Sequence, residues 1–194
     1  MKNIKFTILA TILILAGCKN NPYEKYSGYW LAEREAIIQI KKLDDDKYII
    51  LNGSSILEKK DIGNDPELMD EYNSPINKKG MIELKKIADD RLGMPYNSEI
   101  YPLTLSENNQ ELYSYSNEAD SKITTFKKID EKEAKKLIIN AIKCMNLSIK
   151  KEDEIYELKR DNSSYVDENE INEKYKELSK NIKDCNISVH DKNR

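Results

Sequence analysis

The stretch AIIQIKKLDDDKYIILNG, residues 36–53, decides the fold. Two runs rich in β-branched residues flank an Asp-rich turn, the pattern of a β-hairpin. Asp44, Asp45 and Asp46 suit the turn because short carboxylates accept hydrogen bonds from nearby backbone. A metal role does not fit them. Adjacent turn residues point in different directions, and no Gly or distal Glu completes a calcium loop. Strand signals recur at 81–87, 99–105, 110–116 and 122–129. Asp89, Asp90, Gly93 and Pro95, then Asn108 and Asn109, then residues 117–120, read as the turns between them. In Tyr101-Pro102-Leu103-Thr104-Leu105 apolar residues alternate, as in a half-buried strand. Pro102 points to an edge strand or a bulge. Strands at this spacing predict an antiparallel meander, closed as a small barrel or stacked as a sandwich.

After Ile129 the period changes from two to that of a helix. Asp130 and Glu133 form a capping box. Ala134, Leu137, Ile138, Ala141, Ile142 and Met145 then make one apolar stripe, with Cys144 at its border. A connector is expected over 148–167, with a short element at 152–160. Asp167 and Glu170 form a second box. Ile171, Tyr175, Leu178, Ile182 and Cys185 follow at spacings of a heptad-like seam. The fold class is therefore α+β: an antiparallel β meander followed by a C-terminal helical pair. The units are a β domain at 26–129, a helical appendage at 130–185 and a polar tail at 186–194. Residues 58–80 read as a long polar loop with one helical turn at 67–72, a possible binding element. Asp61, Asp65, Asp70 and Glu71 within it match no metal-loop spacing and read as solvated acids.

The β domain opens with Tyr26-Ser27-Gly28-Tyr29-Trp30, which contains the only Trp. Gly28-x-Trp30 resembles the start of lipocalin-like small β-barrels, in which the Trp plugs one end. Taken without the resemblance, Trp30 is a core aromatic of the first strand rather than a ligand contact.

Residues 1–19, MKNIKFTILATILILAGCK, have Lys2 and Lys5 ahead of an apolar run of about ten residues, within the range of a signal peptide and too short to span a bilayer. The run ends in Leu15-Ala16-Gly17-Cys18, which resembles the lipobox of bacterial membrane lipoproteins. The resemblance implies a signal peptide at 1–17, cleavage before Cys18, and acylation of the Cys18 sulfur and its new amino group. Two or more chains give stable anchoring where one is marginal. A lipidated tether at 18–25 would then hold the domain at the membrane. Lys19 departs from the Asp that retains such proteins in the inner membrane of Gram-negative cells. The implied place is the cell envelope, at the outer membrane facing the periplasm. In a Gram-positive cell the same signal leaves the protein on the outer face of its membrane.

That compartment is oxidising, and lipid takes one of the three cysteines. Cys144 and Cys185 remain as an even pair, expected to form one disulfide rather than stay as two thiols.

Charged residues make up 35% of the chain, and signs are mixed throughout. The formal charge of −3 falls to about −5 once Lys2 and Lys5 are removed. Nothing supports nucleic-acid binding or a polybasic lipid-binding patch. His190, the only His, stands in the tail without partners. No Gly-rich phosphate loop or nucleophile elbow is present, and no carboxylate pair stands out. No catalytic residue, metal ligand or cofactor site is assigned. The expected function is a non-catalytic protein-binding module of the envelope. Inhibitors and immunity proteins that neutralise secreted toxins or lysozymes resemble this design of anchor, tether, small β domain and disulfide. A net acidic chain suits a basic partner. The alternative is a lipocalin-like carrier of a small apolar ligand, which requires a cavity of several hundred Å³. In a structural lipoprotein the helical seam would be the docking face.

Overall fold

The computed structural model describes residues 21–33, 36–44, 47–73, 81–115, 122–161 and 167–187. Its eight strands are β1 (Gly28–Ala32), β2 (Ile37–Lys42), β3 (Tyr48–Asn52), β4 (Met81–Ala88), β5 (Arg91–Tyr96), β6 (Glu99–Leu105), β7 (Glu111–Tyr115) and β8 (Lys122–Ile129). Each pairs antiparallel with its neighbours in sequence. β8 returns to β1, with Tyr29 opposite Ile129, so the meander closes as a barrel rather than a sandwich. At the opening hairpin, Leu43 N–H donates to the Lys47 carbonyl, and the Lys47 N–H donates to Asp44 Oδ1 at 3.0 Å. Asp44 thus serves the turn, as expected; Asp45 and Asp46 lie outside the described residues.

The strand count exceeds the sequence reading by one. Residues 91–96, expected to be turn, form β5. Gly93 is there for space. A Cβ built on it would lie 2.4 Å from Ile100 Cγ2 on one side and 3.2 Å from Ile87 Cγ2 on the other. The tight turn is the next pair of residues, Asn97 and Ser98, both with positive φ, which matches the right-handed twist of a hairpin. Pro102 is not on an edge strand. It faces Gly93 of β5, and pairing to β7 begins one residue later at Leu103, so its missing N–H falls where β6 passes from one neighbour to the other.

Inward positions hold the first core. Trp30, Ile40, Tyr48, Leu92, Leu103 and Leu112 are each less than 2% exposed. One end of the barrel is stoppered by a 3₁₀ turn, Glu24–Tyr26, whose first two residues the sequence placed in the tether. Trp30 Nε1 donates to the Tyr26 carbonyl at 3.0 Å, and the Tyr26 hydroxyl donates to the Leu103 carbonyl at 3.1 Å. The Tyr23 hydroxyl donates to the Ala88 carbonyl at 2.7 Å, and Lys25 pairs with Asp90 at 3.0 Å. Lys128 Nζ sits 5.2 Å over the Trp30 ring, a cation–π distance. Burial, with the Glu24 carboxylate beside it, pushes the Tyr48 hydroxyl up to about 12.

A second core lies outside the barrel wall. Residues 58–80 are more ordered than a loop: they contain α1 (Lys59–Ile62) and α2 (Pro66–Asn73). These short helices and the long helix α3 (Glu131–Asp161) cover the β1–β3 side, burying Ile37, Ile62, Leu68, Ala134, Ile138 and Ile142 together. The acids read as solvated hold this layer in place. Asp61 Oδ2 accepts from the Glu58 N–H at 2.8 Å and pairs with Lys135 at 3.0 Å. Asp65 accepts from the Glu67 and Leu68 N–H groups and pairs with Lys143 at 3.2 Å.

The Asp61–Lys135 pair gives a pH test. Partial burial pushes the Asp61 carboxyl up, but the Glu58 N–H and the Lys135 ammonium outweigh it and hold the carboxyl below its ordinary value. Such a group contributes stability that is present above the unfolded pKa of about 3.9 and lost as pH falls through the lower folded value. The urea midpoint is expected to drop between pH 7 and pH 3 more steeply in the wild type than in Asp61→Asn. Equal slopes would show that Asp61 carries none of the acid sensitivity.

The connector expected at 148–167 is mostly helix, because no Gly or Pro interrupts residues 131–161 and α3 runs through. At 31 residues it is about 46 Å long. Its first half packs on the barrel and its second half on α4 (Glu168–Ser179). Asp130 and Asp167 both cap their helices, the second through Asn169 rather than through the Glu170 of the expected box. Asp130 Oδ1 accepts from the Glu133 N–H at 2.8 Å, and Asp167 Oδ1 from the Asn169 N–H at 3.0 Å. The heptad seam holds only at its start. Ile171 and Tyr175 are buried, but Leu178 is 44% exposed and Ser179 is buried instead, the drift of an α-helix away from a strict heptad. Helix α4 ends at Ser179, so Ile182 and Cys185 lie in the turn that follows it. Ile187, expected in the tail, is buried in the third cluster with Ile155, Ile171 and Tyr175.

Candidate functional site

Cys18, the lipid-attachment residue of the sequence reading, lies outside the described residues, as does His190. Cys144 of α3 and Cys185 of the turn after α4 are brought to disulfide-bonding distance, their Cα atoms 5.4 Å apart. Among the described residues, no helix is long and apolar enough to cross a membrane. No three His, Cys, Asp or Glu side chains gather there as a metal site.

The middle of the barrel is filled by the six nearly inaccessible side chains named above. At the end opposite the 3₁₀ stopper, Ile38, Ile82, Met94 and Phe126 are only partly buried and form the mouth of the core. The other concavities are between helices. A cleft of about 300 Å³ runs between Leu31 of β1, Leu137 and Ala141 of α3, and the Lys183–Cys185 turn. A second lies against Lys143 and Lys150, whose ammonium groups already pair with Asp65 and Glu67.

The outer wall is uneven. Helices cover the β1–β3 side, whereas β4–β7 and most of β8 are covered by no described element. Strand alternation sends Ile87, Gly93 and Pro95, Ile100, Pro102 and Thr104, then Tyr113 and Tyr115, to that uncovered side. These residues carry no charge, but the same side of the strands also presents Glu83 and Lys85 on β4, paired at 3.7 Å, and Glu111 and Lys127 on β7 and β8. Ile87 and Ile100 are each 39% exposed and meet over Gly93. The Tyr113 and Tyr115 rings stand edge to face with centroids 6.4 Å apart, and the Tyr113 hydroxyl donates to Glu111. Charged groups flank the patch, with Glu111 opposite Lys127 on one side, and Lys85 of β4 stands directly opposite Gly93 on the other. An apolar and aromatic centre with a charged rim is the composition of a protein-binding patch.

The sequence pointed to the 58–80 segment and to the helical seam as binding elements. The 58–80 segment is largely spent on docking α3, and the start of the helical seam is buried within the chain. Among the described residues, the sheet face is what remains open. It could not be read in advance, because which side of a closed barrel the helices cover depends on contacts far apart in the chain. The uncharged odd–even positions of residues 93–104 were the only signal. Comparison with protein-family models, curated proteins and solved structures returned no match.

Proposed function

We propose that the chain is a lipid-anchored envelope protein that binds a protein partner, without catalysis, through the open β4–β8 face of its barrel. The observation that carries this reading is the apolar and aromatic patch on that face, formed by Ile87, Ile100, Pro102, Tyr113 and Tyr115, set in the closed ladder and covered by no described helix. Rigid strands lose little freedom on binding, which favours affinity. The filled barrel interior favours recognition from outside over enclosure of a small ligand. The lipobox at Leu15–Cys18 supports the anchor, and the acidic balance suits a basic partner such as a secreted hydrolase or toxin.

Two experiments test the two halves. Cys18→Ser is expected to lose metabolic palmitate labelling and to leave the membrane fraction; retention of label would sink the anchor. In the second test the chain from Lys19 onward captures partners from envelope extract and from neighbouring-cell secretions, with each captured protein identified by mass. Ile100→Asp with Tyr113→Ala is expected to lose the capture, while Tyr156→Asp on the exposed side of α3 keeps it. A partner that survives the barrel variants and is lost with Tyr156→Asp would move the site to the helices.

A further inference from the structure

We infer that the stoppered end of the barrel is the surface that rests on lipid headgroups, and that the barrel mouth points away from the bilayer. This deepens the anchor reading of Cys18 and rests on it. Between Cys18 and Asn21, the first described residue, there are three peptide steps, which reach at most about 10 Å in any conformation. From Tyr23 the chain is bound to the barrel, and Asn21 is turned back onto Tyr23. Asn21 Oδ1 accepts from the Tyr23 N–H at 3.1 Å, and Tyr23 bonds Ala88 at the end of β4. The Tyr48 hydroxyl, at the start of β3, donates to Glu24 at 3.2 Å, and Lys25 grips Asp90 in the β4–β5 turn. These contacts come from three different strands or turns at one end of the barrel. The lipid therefore has almost no slack with which to swing the domain around. The segment expected to be an eight-residue tether is about half spent on the stopper.

The distance to the other end follows from the strands. Strands of 5 to 8 residues are about 15–25 Å long and tilt by about 35–45° in a barrel, so the mouth stands roughly 12–20 Å further from the headgroups than the stopper does. Attraction of charge is not what sets this pose. At the stoppered end Lys25 is matched by Asp90 and Lys47 by Asp44, so the surface there is mixed in sign. The short covalent link alone imposes the contact, and raising the salt concentration leaves it unchanged. The uncovered β4–β8 face then stands upright along the membrane normal, open to a partner arriving from the side.

Two exposed side chains mark the ends. Leu43, 55% exposed, is in the β2–β3 turn beside the stopper, and Tyr96, 58% exposed, is at the far end of β5. A photo-cross-linking benzophenone amino acid is placed at one or the other in the full-length chain, matured in cells and reconstituted in phosphatidylethanolamine–phosphatidylglycerol vesicles. Intact mass first confirms lipid on Cys18. An unlipidated mature chain overturns the anchor reading, and the orientation with it. With lipid confirmed, irradiation is expected to give lipid adducts at position 43 and to lose them at position 96. Adducts at position 96 equal to those at 43 overturn the orientation while leaving the anchor standing. Inserting about 20 Gly and Ser residues after Lys19 gives a flexible reach of roughly 25 Å and is expected to erase the contrast. A contrast that persists with the long linker shows that something other than tether length orients the barrel, and overturns the mechanism.

Discussion

Replacing Trp30 with alanine is expected to lower the stability of the barrel by about 3–5 kcal/mol, the range for removing a large buried aromatic. In a chain of this size that is roughly 10 °C in Tm. The site cannot collapse easily. Trp30 is fully buried, its Nε1–H satisfies the Tyr26 carbonyl, and its ring lies under Lys128. Truncation opens a void between the stopper and the barrel core and leaves the Tyr26 carbonyl without its donor. Trp30→Phe keeps most of the packing and loses the hydrogen bond, so it is expected to cost about 1–2 kcal/mol of the total. Thermal melts followed by far-ultraviolet circular dichroism measure both. A loss below about 1 kcal/mol for alanine would mean that Trp30 is peripheral, whatever its exposure.

Removing the Cys144–Cys185 link, by Cys144→Ser with Cys185→Ser, is expected to act on the far half of α3 and on α4 rather than on the barrel. The two residues are 41 apart in sequence, and chain-entropy arithmetic for such a loop gives about 4 kcal/mol. The third core it supports is small: Ile155, Ile171, Tyr175 and Ile187, with the Glu154–Lys174–Tyr175 contacts on its rim. So small a cluster has little apolar area with which to replace the constraint. The double variant is expected to show amide exchange in α4 rising by orders of magnitude while β1–β8 stay protected. Intact mass with and without reductant reports the bond itself. Unchanged α4 protection in the variant would show that packing alone holds the pair.

Much of this architecture was legible, and the exceptions have physical causes. The hairpin at residues 36–53, the core role of Trp30 and both helix caps followed from local chemistry, which needs no knowledge of neighbours. The strand at 91–96 was hidden because Gly93 and Pro95 are turn formers by propensity. Gly93 is required by Ile87 and Ile100, which press on it from strands on either side. The long α3 was hidden for another reason. Its apolar stripe changes partner midway, from the barrel at Ile142 to α4 at Ile155, and a change of face reads like a break. The docking roles of Asp61 and Asp65 depend on Lys135 and Lys143, more than seventy residues away in sequence. The bare β4–β8 face is legible only once closure fixes which strands the helices can reach.

The seam between β1 and β8 also governs how the chain acquires its structure. Tyr29 meets Ile129, a separation of 100 residues, so the first strand made is completed by the last. Such non-local closure places the barrel among slow-folding topologies, on the millisecond-to-second scale. Until β8 arrives, β1 presents an open edge able to pair with a foreign strand. The partially made barrel is thus most vulnerable to aggregation during the interval in which residues 33–121 are already available and 122–129 are not. The helical layer is likewise completed from both halves of the chain, since α1 and α2 precede β4 while α3 follows β8.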